Sequence, residues 1–194
     1  MTEKNGRISF GAKLLRSGSW TLLRLPKSAS AKLPSRGMVM IEGTMNGFHF
    51  KAPLEPDGDR GHWLNVEKDM LRAARADAGD TVTLEVKVSQ EWPEPEVPED
   101  LMSVLRKSER AHRTWTATTP GAHWDWIRWI RSTKNPETRK KRIEVARSKL
   151  EAGMRRPCCF DRNVCTETGV SNNGVLVVGG TSDRPSQLVT MAHV

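Results

Sequence analysis

The segment EWPEPEVPED, at residues 91–100, most constrains how this chain can fold. Its three prolines remove backbone hydrogen-bond donors and disfavour helix at the residues before them, so no long helix or central strand can run through it. The hydrophobic period also changes there, from two residues to 3.6 residues. The sequence therefore predicts two units, over residues 1–92 and 99–157, joined by a proline-rich linker at residues 93–98.

The first unit has the alternating pattern of β-strands. Apolar residues occupy every second position from Ile8 to Leu14 and from Val82 to Val88, and shorter stretches predict four more strands between these two. Asn46 and Gly47 lie between apolar flanks and tolerate the positive φ angles of a tight type I′ hairpin. One helix is predicted at about residues 67–76. Six short strands and a helix predict a small β-barrel domain.

Beyond the linker, the 3.6-residue period predicts three helices. The first carries apolar residues at 101–105, and the second carries them between residues 123 and 130. Asn135 and Pro136 suit the N-cap and first positions of the third helix, and Gly153 is placed to end it. The second unit is therefore predicted to be a small all-helical domain, which makes the whole chain an α+β protein.

The remaining residues, 158–194, are predicted to form a poorly ordered tail, because Gly, Ser, Thr and Asn dominate them. All three cysteines lie there, at Cys158, Cys159 and Cys165. They cannot staple the rest of the chain, and adjacent Cys158 and Cys159 lack the C-x2-C spacing with which two thiolates hold zinc. We expect free thiols and no metal site.

Composition indicates an ordinary globular protein, with 37% hydrophobic and 28% charged residues. The longest apolar runs are far shorter than the roughly 20 residues needed to cross a bilayer. The amino-terminal residues also lack the apolar region of a signal peptide. We therefore expect a cytoplasmic protein.

Several motifs together resemble the YdeI/OmpD-associated family, in the version with an amino-terminal β-barrel domain of unknown function (DUF1905-type). They are GTMNGFHF, AGDTVTLEV, VPEDLMSVL and the segment WIRSTKNPETRKKRIEVARSKLEAGMRRP, and the resemblance covers roughly residues 8–157. Its most specific element is ETRKKRI, Glu137 to Ile143. The resemblance implies a double-split barrel, shared with AbrB-like regulators, then a helical domain. It also implies no established catalytic residues and a context of envelope stress and cationic-peptide resistance.

The lack of known catalytic motifs in the sequence favours a protein that is not an enzyme. The chain has no G-x-S-x-G, H-E-x-x-H or G-x-G-x-x-G motif. Its five histidines are scattered, and no carboxylate lies at a spacing that would orient them. An enzyme assembled from residues distant in sequence stays open, but no cofactor is expected.

The most unusual charge feature is a basic run at residues 131–156, with 10 basic and 3 acidic side chains. Helix-surface ion pairs explain part of it. Arg139 projects into the apolar stripe of Ile143, Ala146 and Leu150, so it needs an acceptor, with Glu137, Asp125 or a barrel carbonyl as candidates.

The start of the third helix is the predicted ligand site, because free N–H groups and the helix dipole favour an anion there. The alternative is that the carboxylate of Glu137 occupies this position itself. The leading hypothesis is a binding protein for an anionic small molecule at the junction of barrel and helical domain. The residues proposed to hold the ligand are Lys134, Thr138, Arg139 and Arg142, with Trp126 nearby.

The alternative hypothesis is a nucleic-acid-binding regulator, supported by a sequence pI of about 9.8. On the second helix Trp124 projects away from Trp126 and beside Arg128 and Arg131. An exposed indole between guanidinium groups can stack on a base or an aromatic ligand, and packing of this face against the barrel or the linker is the alternative. The candidate nucleic-acid residues are Trp124, Arg128, Arg131, Lys140 and Arg147. The sequence makes no prediction of oligomeric state.

Overall fold

The computed structural model describes residues 6–178 and contains a nearly closed antiparallel barrel followed by helices. The barrel has seven strands, which are β1 (Ile8–Lys13), β2 (Leu15–Ser17), β3 (Trp20–Arg24), β4 (Val39–Met45), β5 (Phe48–Pro56), β6 (His62–Asn65) and β7 (Thr81–Val88). Two short helices, α1 (Lys27–Ser30) and α2 (Lys68–Ala73), interrupt the strands. The predicted α+β class and the barrel are confirmed.

The barrel closes because its two edge strands are consecutive in the chain. The strand order is β1-β7-β4-β5-β6-β3-β2, so β1 and β2 lie at opposite edges of the sheet. Only Leu14 separates them in sequence, and its backbone bonds to Asp80 and Gly79 at 2.8 Å. The sheet therefore curls until its two edge strands approach each other, which gives the nearly closed barrel.

The strands that the sequence predicts are those with clear local sequence patterns. In β7, Val82, Leu84 and Val86 are buried and alternate with exposed residues, so one face packs on the barrel core. Asn46 and Gly47 have φ angles of 48° and 85° and connect β4 to β5, as predicted. The short strand β2 and the helix α1 were not predicted, because three or four residues are too few to show a period.

Four helices follow the linker, α3 (Glu99–Arg106), α4 (Glu109–Thr116), α5 (Pro120–Arg131) and α6 (Pro136–Glu151). Asn135 caps α6 and Gly153 follows its end with a φ angle of 82°, as predicted. The sequence missed α4, whose buried residues are only Ala111 and Trp115. Within residues 6–178, no helix is long and apolar enough to span a membrane.

The prediction of a poorly ordered tail needs a correction over residues 158–178. This segment lies on the barrel and forms a two-stranded sheet of β8 (Ser171–Asn172) and β9 (Val175–Leu176). Leu176 donates a backbone hydrogen bond to Asp57 at 2.8 Å. Apolar side chains of the segment join a core cluster with two barrel residues, and the members are Leu22, Trp63, Cys165, Val170 and Leu176.

The segment escaped prediction because its buried residues are isolated within a polar sequence and their contacts are distant in the chain. At Gly58, with φ of 78°, a Cβ atom would lie 2.0 Å from the carbonyl oxygen of Gly174. The backbones of the barrel loop and the segment therefore touch directly. The rest of the predicted tail, residues 179–194, lies outside the described residues. All three cysteines are free, as predicted.

Candidate ligand-binding site at the barrel and helix junction

A buried network of charged side chains joins the barrel to the helical unit. Glu55, near the end of β5, accepts hydrogen bonds from Arg128 Nε at 3.0 Å and Arg131 Nη2 at 2.5 Å. The two arginines lie one turn apart on α5, so both reach the same carboxylate. Arg131 Nη1 also contacts Glu167 Oε1, in the carboxyl-terminal segment, at 2.6 Å. The network therefore connects all three parts of the chain.

The pKa values in this network follow from burial and charge. Burial would raise the pKa of Glu55, but the adjacent Arg131 and Arg128 outweigh it and hold that pKa below its ordinary value. Burial raises the pKa of Glu167, only partly offset by Arg131. Burial also lowers the pKa of Arg128, opposed by Glu55, and an arginine still stays protonated at neutral pH.

Arg128 has one hydrogen-bond donor without an acceptor. The residue is 0% exposed, and its Nη2 donates to the carbonyl oxygens of Arg162 and Val164 at 3.3 and 3.2 Å. Its Nη1 has no partner among residues 6–178. An unsatisfied buried donor costs about 1–3 kcal/mol, and more when charged, so this atom marks a place where an acceptor would stabilise the protein.

Arg128 also lines a cleft of about 420 Å³ between the barrel and the start of α5. The charged residues in its lining are Arg128, Arg156, Arg162 and Asp125. Asp125 is buried and pairs with Arg156 and, at 3.3 Å, with Arg162. The side chains of Arg156 and Arg162 are nearly half exposed. Three guanidinium groups facing one carboxylate leave the cleft with an excess of positive charge.

The helix start predicted to bind an anion is already occupied. The side-chain oxygen of Asn135 accepts the backbone N–H groups of Glu137 and Thr138 at 2.9 and 3.1 Å. Trp126 is 1% exposed, and its Nε1 donates to the carbonyl oxygen of Arg155. Asn135 therefore caps two of the amides at this helix start, and Trp126 belongs to the helical core.

The other predicted ligand residues are also engaged or dispersed. Arg139 makes a bidentate pair with Asp100 at 2.7 and 2.9 Å, so it has the acceptor it needs, although Asp100 was not among the candidates. Arg142 Nη1 donates to the carbonyl oxygen of Trp129 and to Ser132 Oγ. Lys134 is exposed and Thr138 is half-buried. The structure does not bring these side chains around the junction cleft.

The α5 face of Trp124, Arg128 and Arg131 packs against the barrel and the linker, which is one of the two interpretations that the sequence left open. Arg128 is fully buried, and Arg131 is mostly buried between Glu55 and Glu167. Trp124 is half-buried and donates to the carbonyl oxygen of Pro93 at 3.1 Å. The helical projection correctly turned these residues away from the helical core. A projection of one helix does not decide whether such a face meets solvent or another element.

The remaining nucleic-acid candidates lie on α6. Arg147 is held between Glu144 and Glu151, at 3.2 and 2.7 Å, and Lys140 is exposed. No single exposed surface therefore collects the five candidate residues.

Sequence reasoning missed Glu55, Arg156, Arg162 and Glu167. Glu55 accepts a hydrogen bond from Arg128, which is 73 residues away in the sequence, and no local sequence pattern predicts such a contact. The sequence signal that could have pointed to an acidic partner is the spacing of Arg128 and Arg131, which places both guanidinium groups on one side of the helix. Two neighbouring guanidinium groups need an acidic partner if they are buried. Among residues 6–178, no group of three or more His, Cys, Asp or Glu side chains could hold a metal ion.

The fold and the cleft define an α+β protein in which a nearly closed barrel packs against a small helical unit, with a basic cleft at their junction. Two family models match the chain. Residues 10–86 match a domain of unknown function (DUF1905), and residues 94–153 match the family described as bacteriocin-protection, YdeI or OmpD-associated. These matches confirm the predicted combination of an amino-terminal DUF1905 domain with a YdeI/OmpD-associated domain. No curated protein matches the chain.

Proposed function

We propose that the protein is a binding protein, not an enzyme, that holds an anionic small molecule in the junction cleft. The observation that carries the proposal is the unpartnered Nη1 of Arg128, a fully buried and charged donor on a residue that lines the cleft. An anion in the cleft would supply the missing acceptor. The junction position agrees with the sequence-based hypothesis, but the ligand-holding residues become Arg128, Arg156 and Arg162.

Phosphate and carboxylate groups suit this cleft. A guanidinium presents two parallel N–H groups that match the two oxygens of either anion. Arg156 and Arg162 are nearly half exposed, so each can turn part of its donor set from Asp125 to a ligand. Arg128 is held in place by Glu55 and by two backbone carbonyl oxygens, so its position is prepared before a ligand binds.

Isothermal titration calorimetry at low ionic strength, with inorganic phosphate, citrate and ATP as probes, tests the proposal. We expect saturable binding of at least one probe, and we expect Arg156→Gln and Arg162→Gln each to weaken it about tenfold, since a bond to a charged group contributes about 1.5–3 kcal/mol. Each variant leaves Asp125 with one arginine partner. Arg106→Gln, an exposed change of the same charge outside the cleft, is the control.

Two results would contradict the proposal. One is the absence of binding by all three probes. The other is an equal loss in the cleft variants and in Arg106→Gln, because that loss would reflect net charge and not the cleft.

The proposal also includes a cellular role, which rests on the family description and on the resemblance of the sequence. The family description names bacteriocin protection, and the resemblance of the sequence adds envelope stress and cationic-peptide resistance. We propose a role in such resistance, and a cytoplasmic location stays a prediction.

Nucleic-acid binding also stays a prediction. Exposed Lys134 and Lys140 at the start of α6 support it, whereas the burial of Arg128 and Arg131 removes two of its proposed contacts. Titration of labelled duplex DNA at several salt concentrations measures it, because each phosphate contact lowers the slope of log K against log salt by about 0.9. A flat salt dependence, or no binding at low salt, would exclude it.

A further inference from the structure

A second cavity of about 530 Å³ lies on another side of the junction, and aromatic side chains form its walls. It is bounded by β3, β5 and β6 of the barrel, by the start of α2, by α5 and by the carboxyl-terminal segment. Five of the eleven aromatic residues of the chain line it, namely Trp20, Phe48, Phe50, Trp63 and Trp124. Its size is that of small-molecule sites, about 300–1,000 Å³.

The walls are held in fixed positions. The rings of Trp20 and Trp63 meet edge to face, with centroids 6.3 Å apart and an interplanar angle of 71°. Trp124 is tethered to Pro93 through its indole N–H. Phe48, at the start of β5, is 38% exposed, which is unusual for an aromatic side chain of this protein. Contacts within the protein therefore hold three of these rings, and the ring of Phe48 is exposed to an incoming ligand.

Trp63 contributes an unused hydrogen-bond donor. The residue is 0% exposed and lines the cavity, and its Nε1 has no acceptor among the described residues. A buried indole N–H normally has a partner. A ligand that carries a hydrogen-bond acceptor would supply one.

The charge of this cavity is opposite to that of the junction cleft. Its lining contains four acidic residues, Glu55, Glu67, Asp69 and Glu167, and two basic residues, Lys51 and Arg131. Arg131 is held by Glu55 and Glu167, and Lys51 contacts Glu91 at 2.6 Å. The exposed carboxylates of Glu67 and Asp69 lie at the rim, at the start of α2, and Asp69 also pairs with the exposed Arg72 at 3.4 Å. Aromatic faces beside carboxylates attract cations.

We propose that this cavity binds an arylalkylamine, which is a ligand with an aromatic ring, a hydrogen-bond acceptor and a positively charged ammonium group. The ring packs on the tryptophan and phenylalanine side chains, the acceptor bonds to Trp63 Nε1, and the ammonium group lies at the rim of Glu67 and Asp69. This site differs from the proposed anion cleft in its lining and in the charge of its ligand, so either can fail alone.

Three probes separate the parts of this proposal. Tyramine has a ring, a phenol oxygen that accepts hydrogen bonds, and an ammonium group. The probe 3-(4-hydroxyphenyl)propionate has the same ring and spacing with the opposite charge, and phenethylamine lacks the oxygen. Titrations followed by the indole N–H signals of the seven tryptophans in proton–nitrogen NMR spectra give the affinities. We expect tyramine to bind about tenfold more tightly than the propionate, the effect of a partly desolvated cation on aromatic faces, and more tightly than phenethylamine.

Variants at exposed positions connect binding to the cavity without disturbing the fold. We expect Phe48→Ala, and the double change Glu67→Gln with Asp69→Asn, each to weaken tyramine binding several-fold. Val175→Ala removes a side chain that is 40% exposed and does not line the cavity, so it should leave binding unchanged. Thermal unfolding of each variant checks that it folds.

The proposal is overturned if tyramine causes no saturable indole shifts, or if the propionate binds as tightly as tyramine. It is also overturned if Phe48→Ala binds tyramine as the parent protein does. Equal affinities of tyramine and phenethylamine would contradict the bond to Trp63.

Discussion

Glu55 is the residue on which the junction depends most. It is 6% exposed, and it is the common acceptor for Arg128 and Arg131. Glu55→Gln would leave two buried arginines with a neutral partner, and breaking a buried pair typically costs about 3–5 kcal/mol. We expect a lower urea midpoint of that order. Glu42→Gln, which alters a surface carboxylate paired with Lys87, should change the midpoint little, and equal losses in the two variants would contradict the argument.

The pKa of Glu55 predicts a dependence of stability on pH. Because its pKa is lowered in the folded protein, the folded protein binds fewer protons at this carboxyl than the unfolded chain does. Its stabilising effect is present above the ordinary glutamate value of about 4.3 and is lost as the pH falls through the folded pKa. Urea titrations between neutral and acid pH should therefore show a smaller acid loss in Glu55→Gln than in the parent.

Glu167 acts in the opposite direction to Glu55 in this dependence of stability on pH. Its raised pKa means that its contribution is present below the ordinary glutamate value and is lost as the pH rises through the folded pKa. Glu167→Gln should therefore reduce the loss of stability at rising pH, and a variant with the parent's curve would contradict this assignment.

The ion pair of Arg139 shows that the exposure of the partner determines how much an ion pair contributes to stability. The sequence predicts a large loss on its removal if its partner is stranded in the interior. The structure pairs it with Asp100, and the two side chains are 29% and 48% exposed. We therefore expect Arg139→Ala to lose about 1 kcal/mol or less, the value of a surface pair, and Lys140→Ala to lose less still. Denaturant titration measures both, and a loss of several kcal/mol would mean that Asp100 is buried in solution.

At the scale of elements, the segment of β8 and β9 is a structural part of the barrel. Leu176 is 4% exposed in the cluster with Leu22 and Trp63, whereas its neighbour Val177 is 48% exposed. Leu176→Ala should lower the free energy of unfolding by about 2–5 kcal/mol, the cost of a cavity in a packed core, and Val177→Ala should change it little. Similar small losses would show that the segment leaves the barrel in solution.

At the scale of the molecule, the charged network and the carboxyl-terminal segment bind the two units together. Glu55 comes from the barrel, Arg128 and Arg131 come from α5, and Glu167 comes from the segment. Because separating the units would strand buried charges, we expect a single unfolding transition, with equal midpoints by tryptophan fluorescence and far-UV circular dichroism. Two separate transitions in the parent protein would contradict this coupling.

The sequence alone determined the features that depend on neighbours in the chain. These features are the alternation in β1 and β7, the Asn46–Gly47 turn, the Asn135 cap and Gly153 at the end of α6. Each depends on interactions within a few residues of the chain, so the sequence predicts it directly. The change of period at the proline-rich segment also predicted a barrel followed by helices. These features define the architecture, together with the family resemblance.

Only the tertiary structure decided where the buried charges and the cavities lie. Arg128 is a surface residue on the α5 projection, and it becomes the most buried arginine among the described residues because the barrel covers that face of the helix. Its partner Glu55, and Glu167, which pairs with the neighbouring Arg131, lie on either side of it in the chain, far outside any helical period. Contacts of this kind depend on how whole elements pack. Local periodicity can therefore identify the elements, but it cannot show which of their polar faces meet each other.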